Sequence, residues 1–274
     1  MKLFLLGCLI ALSTICRAQN KFVVESIPDQ LKNRAAMTVR YESEEVIMYA
    51  PDDVRHKVKK AITIHNKNGE FFAYIPLYYD KSSKIKTAKG AVYDEFGRQI
   101  KKLSLKDFND VSAADGFSMF SDTRLKYYSN DAPQYPYTLE FEYEIQLSQN
   151  LMIPNWSPDY HPQVSVEQSS YSFTYPTLEK IRIHTQNIES TGLKTEKEGF
   201  TTLKWEVTNL EAKKQEEFTH HFQDLNIQVN IVPERISYYN HSGSLTDWKN
   251  FGKWAHDMLL NGKQDLGPDV KQKV

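Results

Sequence analysis

The 274-residue chain carries 34 Lys and Arg against 35 Asp and Glu, a formal net charge of −1. With no basic stripe along it, nucleic acid is excluded as an expected partner. Its two cysteines, Cys8 and Cys16, both fall within the first 18 residues, and no later apolar run is long enough to span a bilayer.

Those first 18 residues read as a secretory signal peptide. Lys2 supplies the positive start, residues 3–15 the apolar run, and Cys16-Arg17-Ala18 a small-residue exit before Gln19. A lipidation box at Leu5-Leu6-Gly7-Cys8 is the rival reading, but it leaves too few apolar residues upstream of Cys8. Cleavage after Ala18 leaves a mature chain with no thiol, hence no disulfide, no cysteine nucleophile and no cysteine metal ligand. The protein is expected to be exported, to the periplasm or beyond, and held together by its own apolar core.

From residue 21 to 34 the chain reads as a lead-in loop or short edge element. Residues 36–49 form an extended stretch with Met37, Val39 and Tyr41 alternating. Val58, Ile62 and Ile64 share a register, Asn66-Lys67-Asn68-Gly69 is turn chemistry, and residues 71–79 return as a strand. This predicts a hairpin over 58–79. Strands at 82–93 and 99–105 flank the turn Asp94-Glu95-Phe96-Gly97, and a polar loop follows to Gly116. Arg124 to Tyr128 is expected to pair with the clearest strand of all, in the stretch Tyr135–Leu147, which alternates without a break from Tyr137. There Tyr137, Leu139, Phe141, Tyr143, Ile145 and Leu147 face one way and Glu140, Glu142 and Glu144 the other.

Residues 151–162 contain three prolines, which forbid regular structure. Strands are then predicted at 164–175, 180–184 and 228–232, with a hairpin over 193–207 turning at Glu198-Gly199. A dozen short strands separated by turn signals predict an all-β fold, a large antiparallel β-sandwich. The one helical pattern is at 244–260, where Leu245, Trp248, Phe251, Ala255 and Met258 keep three-and-four spacing, with a Ser244/Asp247 capping box and a stop at Asn261-Gly262.

The order of these motifs resembles the β-rich domain of unknown function 3857 (DUF3857), which precedes transglutaminase-like domains in exported bacterial proteins. The resemblance is carried by ITIHNKNGE (62–70), AVYDEFGRQI (91–100), YPYTLEFEYEI (135–145), the 153–176 segment, Val232-Pro233-Glu234 and DWKNFGKW (247–254). It implies a β-sandwich domain over 19–240, then a linker and the first helix of a transglutaminase-like domain over 241–274. It implies a non-catalytic role as well, supporting or positioning the catalytic domain or binding its substrate, because no cysteine follows Cys16 to match the Cys-His-Asp triad of those catalytic domains.

Two groups of residues stand out as interaction candidates. Trp248, Phe251, Trp254 and Met258 form an aromatic-rich stripe that a partner, a transglutaminase-like domain in cis or in trans, would cover. Trp156, Asp159, Tyr160 and His161 in the proline loop could hold a peptide or glycan ligand, which makes a stand-alone binding module the alternative function. Asp159 with His161 also leaves a hydrolase conceivable, though no nucleophile elbow accompanies them. Glu140, Glu142 and Glu144 read as a solvated strand face in preference to a calcium site. The adjacent His220 and His221 lack metal-ligand spacing, so no metal or cofactor is expected.

Overall fold

The computed structural model describes residues 21–113, 122–130, 134–188, 192–214 and 224–262. The segment before the first strand holds two short helical turns, including α1 (Asp29–Lys32). In order follow β1 (Met37–Ala50), β2 (Asp53–Ile64), β3 (Ile75–Tyr79), β4 (Ser83–Tyr93), β5 (Gln99–Ser104), β6 (Asn109–Ser112), β7 (Arg124–Tyr128) and β8 (Tyr137–Leu147). After the proline loop come β9 (Val164–Pro176), β10 (Ile181–Gln186), β11 (Leu193–Lys197), β12 (Phe200–Leu210) and β13 (Gln228–Pro233). A small hairpin, β14 (Arg235–Tyr238) and β15 (His241–Ser244), leads into α2 (Trp248–Leu259).

The fold is all-β with a C-terminal helix. Eight strands form one large sheet in the order β11-β12-β9-β1-β2-β8-β4-β5. All its neighbours are antiparallel except β1 and β9, which run parallel with Met37 beside Val164. Two smaller sheets, β3-β7-β6 and β10-β13, pack on it. The expected hairpin over 58–79 does not form. β2 pairs with β1 and β8, the 67–73 segment coils into a 3-10 helix, and β3 pairs with β7 in another sheet. Nor does β7 lie against the glutamates of β8. Its Arg124 and Lys126 instead grip Asp110 of β6, each at 2.8 Å.

Alternation explains which face is buried. A bulge between Val39 and Tyr41 adds one residue to β1, so positions 37, 39, 42, 44, 46 and 48 share the face of β2 positions 64, 62, 60, 58, 56 and 54. At one end of this face, Val39, Ile62, Leu139 and Val92 pack under Ile75, Leu77 and Tyr128 of the three-stranded sheet. At the other end, Val46, Met48, Val54, Phe173 and Trp205 pack under Val229 and Ile231 of β13. Each fully buried large side chain contributes roughly 1.5–3 kcal/mol. The protein thus has two apolar clusters on a single sheet face.

The opposite face is polar and ordered by charge. Glu142 pairs with Lys89 at 2.7 Å and Glu144 with Arg55 at 3.2 Å. Glu140 accepts from the hydroxyls of Tyr41 and Tyr93, both at 2.8 Å, and pairs with Lys21. All three carboxylates are therefore engaged by their own sheet or by the lead-in segment. Near its end, the lead-in segment covers a row of hydroxyls, where Thr38 bonds His65 at 2.7 Å and Ser165 at 2.8 Å.

Candidate functional site

Between the two apolar clusters, on the same inward face, the sheet turns polar. Glu42 and Glu44 on β1 stand beside Lys60 and His56 on β2. Lys60 Nζ lies 2.6 Å from Glu42 Oε1, and His56 Nε2 lies 2.8 Å from Glu44 Oε1. The Ser169 hydroxyl donates to Glu42 Oε2 at 2.6 Å, and Trp156 Nε1 donates to Ser169 Oγ at 2.9 Å. On the flank, Tyr143 of β8 meets the His56 ring edge-on at 5.8 Å and lies parallel to Phe141 at 6.4 Å. Tyr160 closes the other side, its ring 5.5 Å from the Lys60 ammonium.

The electrostatics follow from burial against pairing. Burial opposes the charge on Lys60, but the Glu42 carboxylate, with Tyr160 and Glu44, outweighs it and holds the ammonium protonated well above its ordinary range. Burial pushes the Tyr143 phenol up, and the nearby Glu44 and Glu42 charges push it further. The group is thus a fixed array of one ammonium, one imidazole, two carboxyl groups and two neutral phenols, all but Tyr160 set on strands.

Of the proline loop, Trp156 and Tyr160 reach this array while Asp159 and His161 do not. Trp156 is fully buried, and its backbone bridges to Val229 of β13. Asp159 is buried as a clamp, accepting from Lys213 Nζ at 2.6 Å and from the Ile227 N–H at 2.8 Å. His161 packs its ring on Phe72 at 5.0 Å, and its Nδ1 accepts from the Gln163 N–H. Burial lowers the His161 pKa. Asp159 and His161 therefore form no acid/base pair, and each serves the loop's own architecture. His220 and His221 lie outside the described residues. Among the described residues, no three His, Cys, Asp or Glu converge as metal ligands, and no helix is long and apolar enough to cross a membrane.

The second candidate surface is α2. Asp247 caps it, its carboxylate accepting from the Asn250 N–H at 2.8 Å, whereas the sequence pattern had placed the cap at Ser244. Trp254 is buried against the β14–β15 hairpin and donates to the His241 carbonyl at 3.2 Å. The approach is so close that a Cβ at Gly243 would lie 2.3 Å from Trp254 Cδ1. Phe251 stacks on Trp254 at 5.8 Å, Met258 is half-buried, and Trp248 is 86% exposed. Beside Trp248 lies a groove of about 500 Å³ lined by Leu151, Val232, Leu245 and Phe251, with Arg182 at its edge.

The four ionisable groups of the inward face were not singled out by sequence reasoning. A signal for them exists: His56 and Lys60 occupy the register of Val54, Val58, Ile62 and Ile64 on a strand whose other inward residues are apolar.

The family model of a domain of unknown function with solved structures, DUF3857, matches residues 50–214. No curated protein matches the chain in sequence. Among solved structures, that of a "putative protease" from Parabacteroides distasonis aligns with a TM-score of 0.60 at 12% identity, covering 74% of this chain and 41% of that one. An M1 zinc metallopeptidase from Deinococcus radiodurans scores 0.33 at 9% identity, covering 76% of this chain and 46% of its own. Legionella pneumophila aminopeptidase A, in complex with aspartic acid, scores 0.31 at 10% identity, covering 78% of this chain and 23% of its own. At such identity the first of these is a likeness of fold. The chain spans less than half the length of each of the three.

Proposed function

The chain belongs to the DUF3857 family, and on that premise we propose that it is a non-catalytic, exported β domain that positions a transglutaminase-like catalytic domain through α2. The observation that carries this reading is the helix itself. One side is fastened to the protein by Trp254, while Trp248 is left exposed beside an apolar groove at the start of the helix, and Leu259 and Leu260 are exposed at its other end. Covering a large apolar side chain contributes roughly 1.5–3 kcal/mol, and an apolar patch of this kind marks an interaction site. The Parabacteroides protein that shares the fold carries a protease's name and is more than twice as long as the matched portion, which supports a β domain that works next to a peptidase-type one. The non-catalytic part of the proposal rests on the sequence, which has no cysteine beyond Cys16, and on Asp159 and His161 being bonded to other partners, Asp159 to Lys213 and Ile227 and His161 to Gln163.

The test is hydrogen exchange on this chain, alone and with a family transglutaminase-like domain supplied in cis. Amides of 248–259 are expected to gain protection with the domain present, and Trp248→Asp is expected to abolish the gain. Unchanged protection would end the docking reading. Export is checked separately, by sequencing the N-terminus of the secreted protein, which should begin at Gln19.

A further inference from the structure

The β14–β15 hairpin leaves one strand edge open. In an antiparallel pair, residues that bond their opposite number alternate with residues whose N–H and C=O point away from it. Asn150 shows which are which. The N–H and C=O of Ser237 are both spent on Asn150, at 2.8 and 3.2 Å, and the Arg235 carbonyl accepts from Asn150 Nδ2 at 2.9 Å. Ser237 and Arg235 thus bond away from β15. Their opposite numbers, Ser242 and Ser244, turn their own N–H and C=O the other way, outward from the hairpin. The Leu245 N–H, which donates to the Glu234 carbonyl at 2.7 Å, keeps the same alternation. Among the described residues the outward main-chain groups of Ser242 and Ser244 meet no partner.

These groups border a groove. A cleft of about 520 Å³ runs between β15 on one side and Asn250, Trp254, Asp257 and Met258 of α2 on the other, and no residue of β14 lines it. Trp254, buried against Gly243 and bonded to the His241 carbonyl, fixes the helix beside the strand. The cleft shares no residue with the apolar groove beside Trp248. Its wall favours neither sign of charge, because Lys253 lies 3.2 Å from Asp257. The edge is also unguarded. Sheet edges are commonly blunted by lysine, proline or a bulge, and here β11 carries Lys194 and Lys197, β5 Lys101 and Lys102, and β3 Pro76. The four residues of β15 include no lysine and no proline, and their register with β14 is unbroken.

We infer that this groove binds an extended peptide, which joins β15 as a third strand. Ser242 and Ser244 offer two N–H and C=O pairs about 7 Å apart, the two-residue repeat of a strand. An extended polypeptide presents the same repeat along its own main chain, so each open group finds its complement. Main-chain bonds then supply affinity, and alternate side chains supply specificity. One set of those side chains points toward α2. On that side Gly243 carries no side chain and Trp254 lies over it, so the peptide residue beside Gly243 meets the Trp254 ring and Met258. The fitting peptide is therefore uncharged, with one large apolar residue between small polar ones. The inference needs no second domain and holds whether or not α2 docks one.

Isothermal titration of the purified chain tests it, with acetylated, amidated Thr-Ser-Leu-Ser-Thr as probe and with aspartate or lysine in place of the leucine as controls. The leucine peptide should bind saturably with a Kd below about 1 mM, and each charged control at least about tenfold more weakly. N-methylation of one alternate set of peptide amides should abolish binding, and N-methylation of the other set should spare it, because only every second residue bonds to a neighbouring strand on a given side. Ser242→Pro removes an outward N–H that the hairpin does not use, a change that strand edges tolerate. It should weaken binding at least about tenfold, while Ser242→Ala, which keeps the N–H, stays within about twofold of wild type. A urea midpoint and tryptophan emission near wild type will show that Ser242→Pro is folded. No saturable binding, equal effects of the two N-methyl sets, or full binding by folded Ser242→Pro would overturn the assignment. So would a dimer of the chain that Ser242→Pro dissolves, which would put a second copy at this edge in place of a peptide.

Discussion

Lys60→Met tests whether the Glu42–Lys60 pair behaves as a buried charge pair. At 2.6 Å, with an effective dielectric constant of about 20, the attraction amounts to roughly 6 kcal/mol. Methionine matches much of the lysine stem and carries no ammonium to desolvate, so part of that attraction is offset. Glu42 then keeps the Ser169 hydroxyl as its hydrogen-bond donor and loses its counter-charge. Removing one partner of a buried pair typically costs about 3–5 kcal/mol. Because both side chains retain some contact with water, the lower end, about 3 kcal/mol, is expected. Glu42→Gln with Lys60→Met should recover all but about 1 kcal/mol, since glutamine still accepts from Ser169 and leaves no charge behind. Urea titration of the wild type, both single variants and the double variant gives the cycle. A single-variant loss below about 1 kcal/mol, or a double variant as unstable as the sum of the singles, would refute the reasoning.

His65 is drawn down to about 4 by burial, with help from Arg40 and Lys32. Its folded pKa lies below the unfolded value near 6.5, so its contribution is fully present above pH 6.5 and is lost as pH falls toward 4. That amounts to about 3 kcal/mol, and thermal melts of His65→Gln should lack this slope across the same window. Phe141 is partly buried against the first cluster, so Phe141→Ala should cost about 2 kcal/mol, below the 3–5 of a full core phenylalanine. Glu142→Ala, which loses only a surface pair with Lys89, should cost less than about 0.5 kcal/mol by the same titration. Gly243→Ala should drive Trp254 off the hairpin, with a red shift in tryptophan emission and faster proteolysis of α2. Neither core cluster contains an α2 residue, so deletion from residue 245 onward should leave the melting temperature nearly unchanged; a drop of many degrees would place the helix in the core after all.

The strands were legible because period-two alternation is a local property: within the stretch 135–147 the strand begins at Tyr137, where the alternation begins, and ends at Leu147, and the turn at Glu198-Gly199 joins β11 to β12 as its residues indicate. Partners were less legible. The turn residues after His65 announce a reversal, but they cannot say that β3 leaves for another sheet, because β2 already has a neighbour on each side. The polar array was hidden for a related reason. Glu42 and Glu44 look outward-facing until the bulge near Arg40 resets the register of β1. Trp156 and Tyr160 were found for their aromatic character, while their meeting with Lys60 and Ser169 depends on pairings that no local pattern encodes.

The parallel seam between β1 and β9 has a kinetic consequence. Met37 lies beside Val164, so the centre of the large sheet closes only across a separation of 127 residues. Pairings this distant fold slowly, because the loop must be closed before any contact rewards it. Until β9 arrives, one long side of β1 stands open with Val39, Val46 and Met48 uncovered, a template for adhesion between chains. A nascent chain that leaves the ribosome N-terminus first therefore waits, unfolded, for more than half its length, and under the export proposed above that interval is when it could still be threaded through a membrane.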